Sequence, residues 1–275
     1  MTSHGIKDKV AIVAMGCTPF GERYDAGFDD LAREAVDATL GDKVALADVD
    51  AFWLGTAQSA MSGISLARAL GVGDKPVSRV ENYCATGSEA LRQASYAVAS
   101  GAYDVAMAVG VEKVKDAGYQ GLNAFPIPHD GTARSLTAAA MFSMVVPAYA
   151  ARYGVDPDEL RRALAHIAAK NHFNGARNPR AQFRREMSVD QICGLPAVAG
   201  DLSVFDCAGV ADGAAAAVVV RAEDALQYTD RPLYVKALSF VAGNGGGLTD
   251  PSYDYTTFPE VVQCAADATT SRKVV

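Results

Sequence analysis

Apolar and polar positions alternate regularly over the first 115 residues of the chain. Short apolar runs rich in β-branched residues are separated by stretches whose apolar positions recur at helical spacing. The predicted strands cover residues 9–16, 49–56, 76–82 and 103–112, and the predicted helices cover residues 29–42, 64–71 and 84–100. This order predicts a layered α/β unit, in which helices cover both faces of a sheet of mostly parallel strands.

The pattern changes over residues 116–200, where glycines and prolines are scattered among longer helical stretches. We expect a helical insertion here, because runs of β-branched residues are few. Strand patterns return at residues 213–224 and 233–243, and a last helical pattern covers residues 258–268. Because little sequence follows that helix to cover the sheet, we expect either an incomplete chain or a diverged tail.

The overall charge narrows the classes of partner. The chain has 275 residues and a formal net charge of -7, which argues against nucleic acid and anionic membranes as partners. Its densest basic stretch contains Arg177, Arg180, Arg184 and Arg185, and indicates either a site for a phosphorylated ligand or a solvated face. No apolar stretch reaches the roughly 18 residues that a membrane span needs, and no signal-peptide pattern is present, so we expect a cytoplasmic protein.

Cysteine is the residue type with the clearest candidate chemistry. The five cysteines, at positions 17, 84, 193, 207 and 264, lack the spacing of metal ligands or of a disulfide framework. Cys84 directly precedes a predicted helix, whose first N–H groups lack intrahelical partners and carry partial positive charge. That position suits a nucleophilic thiolate, and the same N–H groups suit a developing oxyanion. Spacing alone leaves open the alternative that Cys84 is a small buried apolar residue.

Three segments carry a resemblance to a known family. The segment NYCATGSEALRQASYAVASGAYDVAMAVGVEKV resembles the nucleophile segment of the thiolase superfamily. The segments KNHFNGARNPRAQF and DCAGVADGAAAAVVV resemble the sterol-carrier-protein type of thiolase. The resemblance implies a fold of two similar βαβαβαββ halves in layers. Residues 1–115 and 201–225 would form the first half, residues 116–200 a loop domain, and residues 226–275 the start of a truncated second half.

The resemblance also implies a reaction. In it, Cys84 attacks an acyl-CoA thioester, releases CoA and holds the acyl group as an enzyme thioester. A second acyl-CoA then condenses with this acyl group, or the reverse reaction cleaves a 3-oxoacyl-CoA. No metal or redox cofactor is implied. Four residues are candidates for contact with CoA: His129 in a proline-rich loop, Arg177 and Arg184 for the phosphates, and Gly245 beside the pantetheine arm. Each of them has a structural alternative, as a surface, ion-paired or turn residue.

Other features of the family are missing from the sequence. The second half of a thiolase supplies a histidine that activates the nucleophile, an HDCF- or NEAF-like segment and a second cysteine, and none of these motifs occurs before Val275. We therefore expect the 275-residue chain to be weakly active or inactive unless a partner or a missing segment supplies these groups.

The resemblance leaves two alternative functions and implies an assembly. One alternative is a thiolase-like aldolase of steroid side-chain degradation, which works with a small OB-fold partner. The other is a non-catalytic thiolase-like subunit. The family resemblance implies a homodimer, with the strand at residues 76–82 as its seam.

Overall fold

The structure is a computed structural model that describes residues 5–117, 125–129 and 132–272. The chain divides into two compact units. The first unit comprises Met1–Gly121, Ala211–Phe240 and Cys264–Val275, and the second comprises Leu122–Val210 and Val241–Gln263. The domain limits implied by the family resemblance stay a prediction.

Strands and helices alternate through the first part of the chain, as the sequence pattern predicts. The strands are β1 (Val10–Cys17), β2 (Ala51–Gly55), β3 (Val77–Val80), β4 (Val105–Glu112), β5 (Phe125–His129), β6 (Thr132–Leu136), β7 (Ala197–Ala199), β8 (Leu202–Ser203), β9 (Gly213–Arg221) and β10 (Leu233–Tyr234). The helices are α1 (Phe28–Asp37), α2 (Ile64–Leu70), α3 (Thr86–Ala99), α4 (Ala138–Ser143), α5 (Val145–Tyr153), α6 (Pro157–Arg177), α7 (Val189–Cys193), α8 (Ala225–Tyr228), α9 (Gly246–Thr249) and α10 (Pro259–Arg272). Within the described ranges, no helix has the length and apolar character needed to cross a membrane.

One sheet organises the first unit, with the strand order β10-β1-β9-β4-β2-β3. β2 pairs in parallel with β3 and β4, whereas β9 pairs antiparallel with β1 and β4. The sheet is therefore mixed, because β9 and β10 run against the direction that the first four strands share. The order β1–α1–β2–α2–β3–α3–β4, completed by β9, is the predicted βαβαβαββ arrangement.

Helices cover both faces of this sheet, but the two faces differ in the size of their residues. On one face, Leu31 of α1 and Leu66 of α2 belong to a cluster with the large side chains of Phe52 and Met107. Side chains of a strand alternate between faces, so the neighbours of Met107 point to the other side. Burial of these apolar groups is the main driving force for forming the unit.

The other face carries α3 and combines alanines with larger residues such as Val10 and Val219. Ala90 and Ala94 of α3 cluster with Ala106 and Ala108 of β4. Methyl groups on both surfaces let the helix lie close to the sheet. In a close-packed interior, the size of the side chains between two elements sets the distance between them. The helix that follows Cys84 is thereby fixed against the strands.

The strand predicted over residues 233–243 is wrong beyond its first two residues, which form β10. These two residues pair with Ala11 and Ile12, near the beginning of β1. Asp8 adopts a left-handed backbone conformation with φ of 58°. Val235 still exchanges backbone hydrogen bonds with Val10 and Asp8. The antiparallel ladder ends there, because a strand cannot continue through the conformation of Asp8.

The second unit contains the longest helix, α6, and also a hairpin that the sequence pattern misses. β5 and β6 pair antiparallel over residues predicted to belong to a helical insertion. Pro126 and Pro128 lie in β5, and prolines within a run argue against a strand. The start of α6 follows the ordinary signals, because the carboxylate of Asp156 accepts hydrogen bonds from the N–H groups of the first turn.

A buried carboxylate ties separate segments of the first unit together. The side chain of Asp212 is fully buried and accepts a hydrogen bond from Nζ of Lys113 at 2.9 Å. It also accepts from the N–H groups of Val114 at 2.7 Å, Lys115 at 2.9 Å and Arg23 at 3.1 Å. Burial raises the pKa of Asp212, but the hydrogen bonds, led by that from Lys113, outweigh burial and hold the pKa below its ordinary value.

We predict that Asp212→Asn lowers the free energy of unfolding at pH 7 by about 3 kcal/mol, because Lys113 loses its buried partner. A depressed folded-state pKa stabilises the fold above the unfolded pKa of about 3.9, and this stabilisation is lost as the pH falls through the folded value. The difference from wild type should therefore shrink below about pH 4 in urea unfolding measured across pH.

The matched control for this prediction is Asp116→Asn. Asp116 pairs with the same Lys113 at 2.7 Å but is largely exposed, and exposed ion pairs contribute little to stability. An equal loss of stability in the two variants, or a loss in Asp212→Asn that does not depend on pH, would contradict the assigned role of Asp212.

Candidate active site

Cys84 lies in the connection between β3 and α3, at the edge of the sheet where β2, β3 and β4 all end. In open α/β sheets, ligands bind beyond the carboxyl ends of the parallel strands. The Cys84 thiol is exposed, whereas Cys17, Cys193, Cys207 and Cys264 are partly buried. Among the cysteines, the structure therefore gives Cys84 the access that a nucleophile needs.

The backbone around Cys84 is tighter than the sequence pattern predicts. An α-helix is expected to begin near Cys84, but a 3-10 turn covers Tyr83–Ala85 and the α-helix begins at Thr86. Tyr83 has a left-handed φ of 49°, a conformation that costs a residue with a Cβ roughly 1–2 kcal/mol. Such strain persists only where the surroundings hold it, and it is frequent at functional sites.

Hydrogen bonds close this turn on both sides of the thiol. The N–H of Asn82 donates to Oγ1 of Thr86 at 2.8 Å, and the N–H of Thr86 donates to the carbonyl oxygen of Tyr83. The N–H of Ala85 donates to the carbonyl oxygen of Asn82 at 3.0 Å. No described side chain caps the N-terminus of α3, which is the helix end that carries partial positive charge.

The first turn of α3 lies close to the sheet at Gly55, the last residue of β2. A Cβ at Gly55 would lie 3.0 Å from the carbonyl oxygen of Thr86 and 3.2 Å from its Cγ2. Gly110, which pairs with Gly55 on the next strand, is less crowded, since a Cβ there would lie 3.9 Å from Gly55. A side chain at Gly55 would therefore require Thr86 to shift by a few tenths of an ångström.

Glu112, at the end of β4, holds the loop that follows β2. Its carboxylate accepts hydrogen bonds from the hydroxyls of Thr56 at 2.8 Å and Ser59 at 2.7 Å. It also accepts from the N–H groups of Ala57 and Gln58. The sequence pattern does not single out Glu112, because a single charged side chain at the end of an apolar strand is indistinguishable from an ordinary solvated strand end.

Arg79 of β3 contacts the same loop from the opposite side. Its Nη2 donates to the carbonyl oxygens of Thr56 at 2.9 Å and Ala57 at 3.1 Å. The N–H of Thr56 in turn donates to the carbonyl oxygen of Val80 at 3.4 Å. The loop after β2 and the segment that leads to Cys84 are thus joined by hydrogen bonds.

The four residues predicted to contact CoA belong to the second unit, whereas Cys84 belongs to the first. His129 is the last residue of β5, and its side chain lies outside the described residues. Gly245 precedes α9 and has φ of 77°, a left-handed conformation that glycine adopts without strain.

The two arginines of this set differ in how they are engaged. Arg177 lies over the ring of Phe173, 3.4 Å from its centroid, and its Nη1 is 2.7 Å from the carboxylate of Glu186. Arg184 is exposed and has no ion pair within the described ranges. In those ranges, no group of three or more His, Cys, Asp or Glu residues is arranged to hold a metal ion.

Comparisons with known proteins identify the family. The family model for the thiolase N-terminal domain matches residues 10–223. The chain is 35% identical over 249 residues to acetyl-CoA acetyltransferase from Methanothermobacter thermautotrophicus, a match that covers 85% of this chain and 62% of that protein. It is 28% identical over 249 residues to sterol carrier protein 2 from Gallus gallus, covering 85% of this chain and 45% of that protein.

The fold comparison agrees with the sequence comparisons. The solved structure of the Ltp2-ChsH2(DUF35) aldolase matches with a TM-score of 0.79 at 23% sequence identity, over 98% of this chain and 71% of that chain. A likeness at this identity shows the fold alone. Together with the family match, it confirms the thiolase-like α/β arrangement expected from the sequence. The chain spans less than two thirds of the length of the two curated relatives.

We predict that iodoacetamide labels Cys84 first among the cysteines of the native chain, because its thiol is exposed and the others are partly buried. Cys207 should react slowly, since burial, and after it the nearby Asp206 carboxylate, raise the pKa of its thiol. Peptide mass spectrometry at increasing reaction times would measure the order. Labelling of Cys207 as fast as Cys84 would contradict the assigned exposure.

Proposed function

This chain belongs to the thiolase family, and on that basis we propose that it accepts an acyl group from acyl-CoA or 3-oxoacyl-CoA thioesters on Cys84. With an acyl-CoA, the sulfur of Cys84 attacks the thioester carbonyl and the bond from that carbon to the CoA sulfur breaks. With a 3-oxoacyl-CoA, the sulfur attacks the 3-oxo carbonyl instead, the bond between C2 and C3 breaks, and acetyl-CoA leaves as an enolate that takes up the proton. With acetyl-CoA the leaving group is the CoA thiolate, which takes up the proton that Cys84 gives up. One thioester replaces another, so little free energy is lost.

The observation that carries this proposal is the exposed thiol at the carboxyl edge of the sheet, beside the N-terminus of a helix. In the proposed reaction, N–H groups at the start of α3 stabilise the negative charge that develops on the carbonyl oxygen. The family match and the similarity to an acetyl-CoA acetyltransferase support the acyltransferase class.

CoA is proposed as the carrier of the acyl group, and no further cofactor is proposed. Arg184 is the better candidate for the CoA phosphates, because its guanidinium is exposed and has no described ion-pair partner. Arg177 would first have to give up its contact with Glu186. His129 and Gly245 stay predictions of the family resemblance.

The second candidate function is a thiolase-like aldolase that works with a small OB-fold partner. The observation that favours it is the likeness to the Ltp2-ChsH2(DUF35) aldolase over 98% of this chain. Retro-aldol cleavage needs no acyl-enzyme, so a reactive Cys84 argues for the acyltransferase. A non-catalytic thiolase-like subunit is the third possibility, and it predicts no covalent adduct.

We also propose that the chain forms a homodimer along β3. This strand is at the edge of the sheet, and an edge strand presents unpaired backbone groups on which another strand can add. A two-fold axis beside β3 would pair it with its own copy. The cytoplasmic location stays a prediction.

We predict that incubation of the chain with acetyl-CoA adds one acetyl group to Cys84. Intact-protein mass spectrometry would detect the adduct, and peptide mapping would locate it. The adduct should be absent from Cys84→Ala. It should be present in the matched control Cys264→Ala, because the wild-type Cys264 is partly buried in α10.

An adduct that persists in Cys84→Ala would assign the acyl group to another residue and overturn the proposal. No adduct in the wild-type chain would bring forward the aldolase or the non-catalytic subunit. An assay with a β-hydroxyacyl-CoA distinguishes these two functions, because only the aldolase releases an aldehyde or ketone from it.

A further inference from the structure

Thr86, two residues after Cys84, makes two polar contacts that enclose the thiol-bearing turn. Its Oγ1 accepts the hydrogen bond from the N–H of Asn82 at 2.8 Å. Its own N–H donates to the carbonyl oxygen of Tyr83. The backbone from residue 82 to residue 86 is thereby closed into a ring around Cys84.

The side chain of Thr86 is itself fixed from the side of the sheet. Thr86 is buried, and its Cγ2 lies 3.2 Å from the point that a Cβ on Gly55 would occupy. A β-branched side chain has few χ1 rotamers. With the methyl group against Gly55, the hydroxyl is directed to Asn82, so both branches of the side chain are used.

This arrangement explains how the strained turn is maintained. The left-handed conformation of Tyr83 requires support from its surroundings. Thr86 contacts the residue before Tyr83 through its hydroxyl and Tyr83 itself through its N–H. Loss of the hydroxyl would remove the bond that fixes Asn82, and the turn would gain conformations in which the sulfur and the first N–H groups of α3 are no longer aligned on one carbonyl.

We propose that Thr86 is the positioning residue for Cys84, and that its hydroxyl holds the 3-10 turn in the shape needed for attack on a thioester. This inference rests on the proposed function, in which Cys84 is the acyl acceptor. In this proposal Thr86 does not contact the substrate. Its effect is on the alignment of the thiol with the donors of the helix N-terminus.

The test compares Thr86→Val with Thr86→Ser. Valine keeps the volume and the methyl contact but removes the acceptor, so the rate of Cys84 acetylation by acetyl-CoA should fall by about tenfold or more. Serine keeps the acceptor, so its rate should stay within about threefold of wild type. Labelling of Cys84 by iodoacetamide should change little in either variant, because that reaction needs an accessible sulfur and no oxyanion donors.

The matched control is Thr39→Val. Thr39 is also buried, and its hydroxyl donates to the carbonyl oxygen of Ala35 at 2.7 Å, in a part of the first unit away from the Cys84 turn. This variant should lose stability in urea unfolding and keep the wild-type rate of acetylation. A role of Thr86 in stability alone would make the two valine variants behave alike.

Amide hydrogen exchange tests the same inference without any acyl transfer. The N–H of Ala85 donates to the carbonyl oxygen of Asn82, and its exchange should become about tenfold faster in Thr86→Val if the turn opens more often. Absence of acetylation in the wild-type chain would therefore contradict the proposed function. The exchange rate at Ala85 would still show whether the hydroxyl of Thr86 holds the turn closed. A wild-type rate of acetylation in Thr86→Val, or unchanged exchange at Ala85, would overturn the positioning role.

Discussion

The close contact between the first turn of α3 and the end of β2 is the constraint on which the candidate active site depends. A Cβ at Gly55 would lie only 3.0 Å from the carbonyl oxygen of Thr86, and the neighbouring positions on β4 and α3 are occupied by alanine and glycine. A helix packed this closely cannot shift along the sheet without clashes. Its N-terminus, and with it the turn that carries Cys84, is therefore fixed at the carboxyl edge of the parallel strands.

Carboxylates organise the loops at this same edge. Glu112 accepts hydrogen bonds from the loop after β2, and Asp212 accepts from the segment after β4 and from the N–H of Arg23. Glu112 pairs with Gly213, the first residue of β9, so Asp212 lies directly before the strand that neighbours β4. Loops expose few apolar groups for packing, and polar contacts of this kind supply the order that the site needs.

The alternating pattern of the sequence predicts most of the first unit because its strands and helices have distinct periods. It fails where local backbone geometry decides. A tyrosine in the sequence does not indicate a left-handed backbone conformation. The pattern therefore predicts the first turn of an α-helix where the structure has a 3-10 turn at Tyr83. The strand expected after Tyr234 fails for a reason outside its own sequence, since Asp8 ends the neighbouring strand.

The residues of the candidate site also differ in whether the sequence predicts them. Cys84 is found from the sequence, because a cysteine before a helix has a recognisable chemical meaning and because the surrounding motif resembles a known family. The residues that support it are not found, since Glu112 and Thr86 act through hydrogen bonds to segments that only the fold brings together. Arg177 is a residue that the sequence predicts as a contact for phosphate, but in the structure its guanidinium already contacts the carboxylate of Glu186 and the ring of Phe173.

The most direct test of this account is the rate of Cys84 acetylation in Gly55→Ala, compared with Gly110→Ala. A methyl group at Gly55 must displace the backbone of Thr86 by a few tenths of an ångström, whereas one at Gly110 meets only ordinary contacts. The account predicts that Gly55→Ala slows acetylation by roughly threefold to tenfold and that Gly110→Ala does not. Equal rates in Gly55→Ala and the wild-type chain would show that the position of α3 does not control the nucleophile.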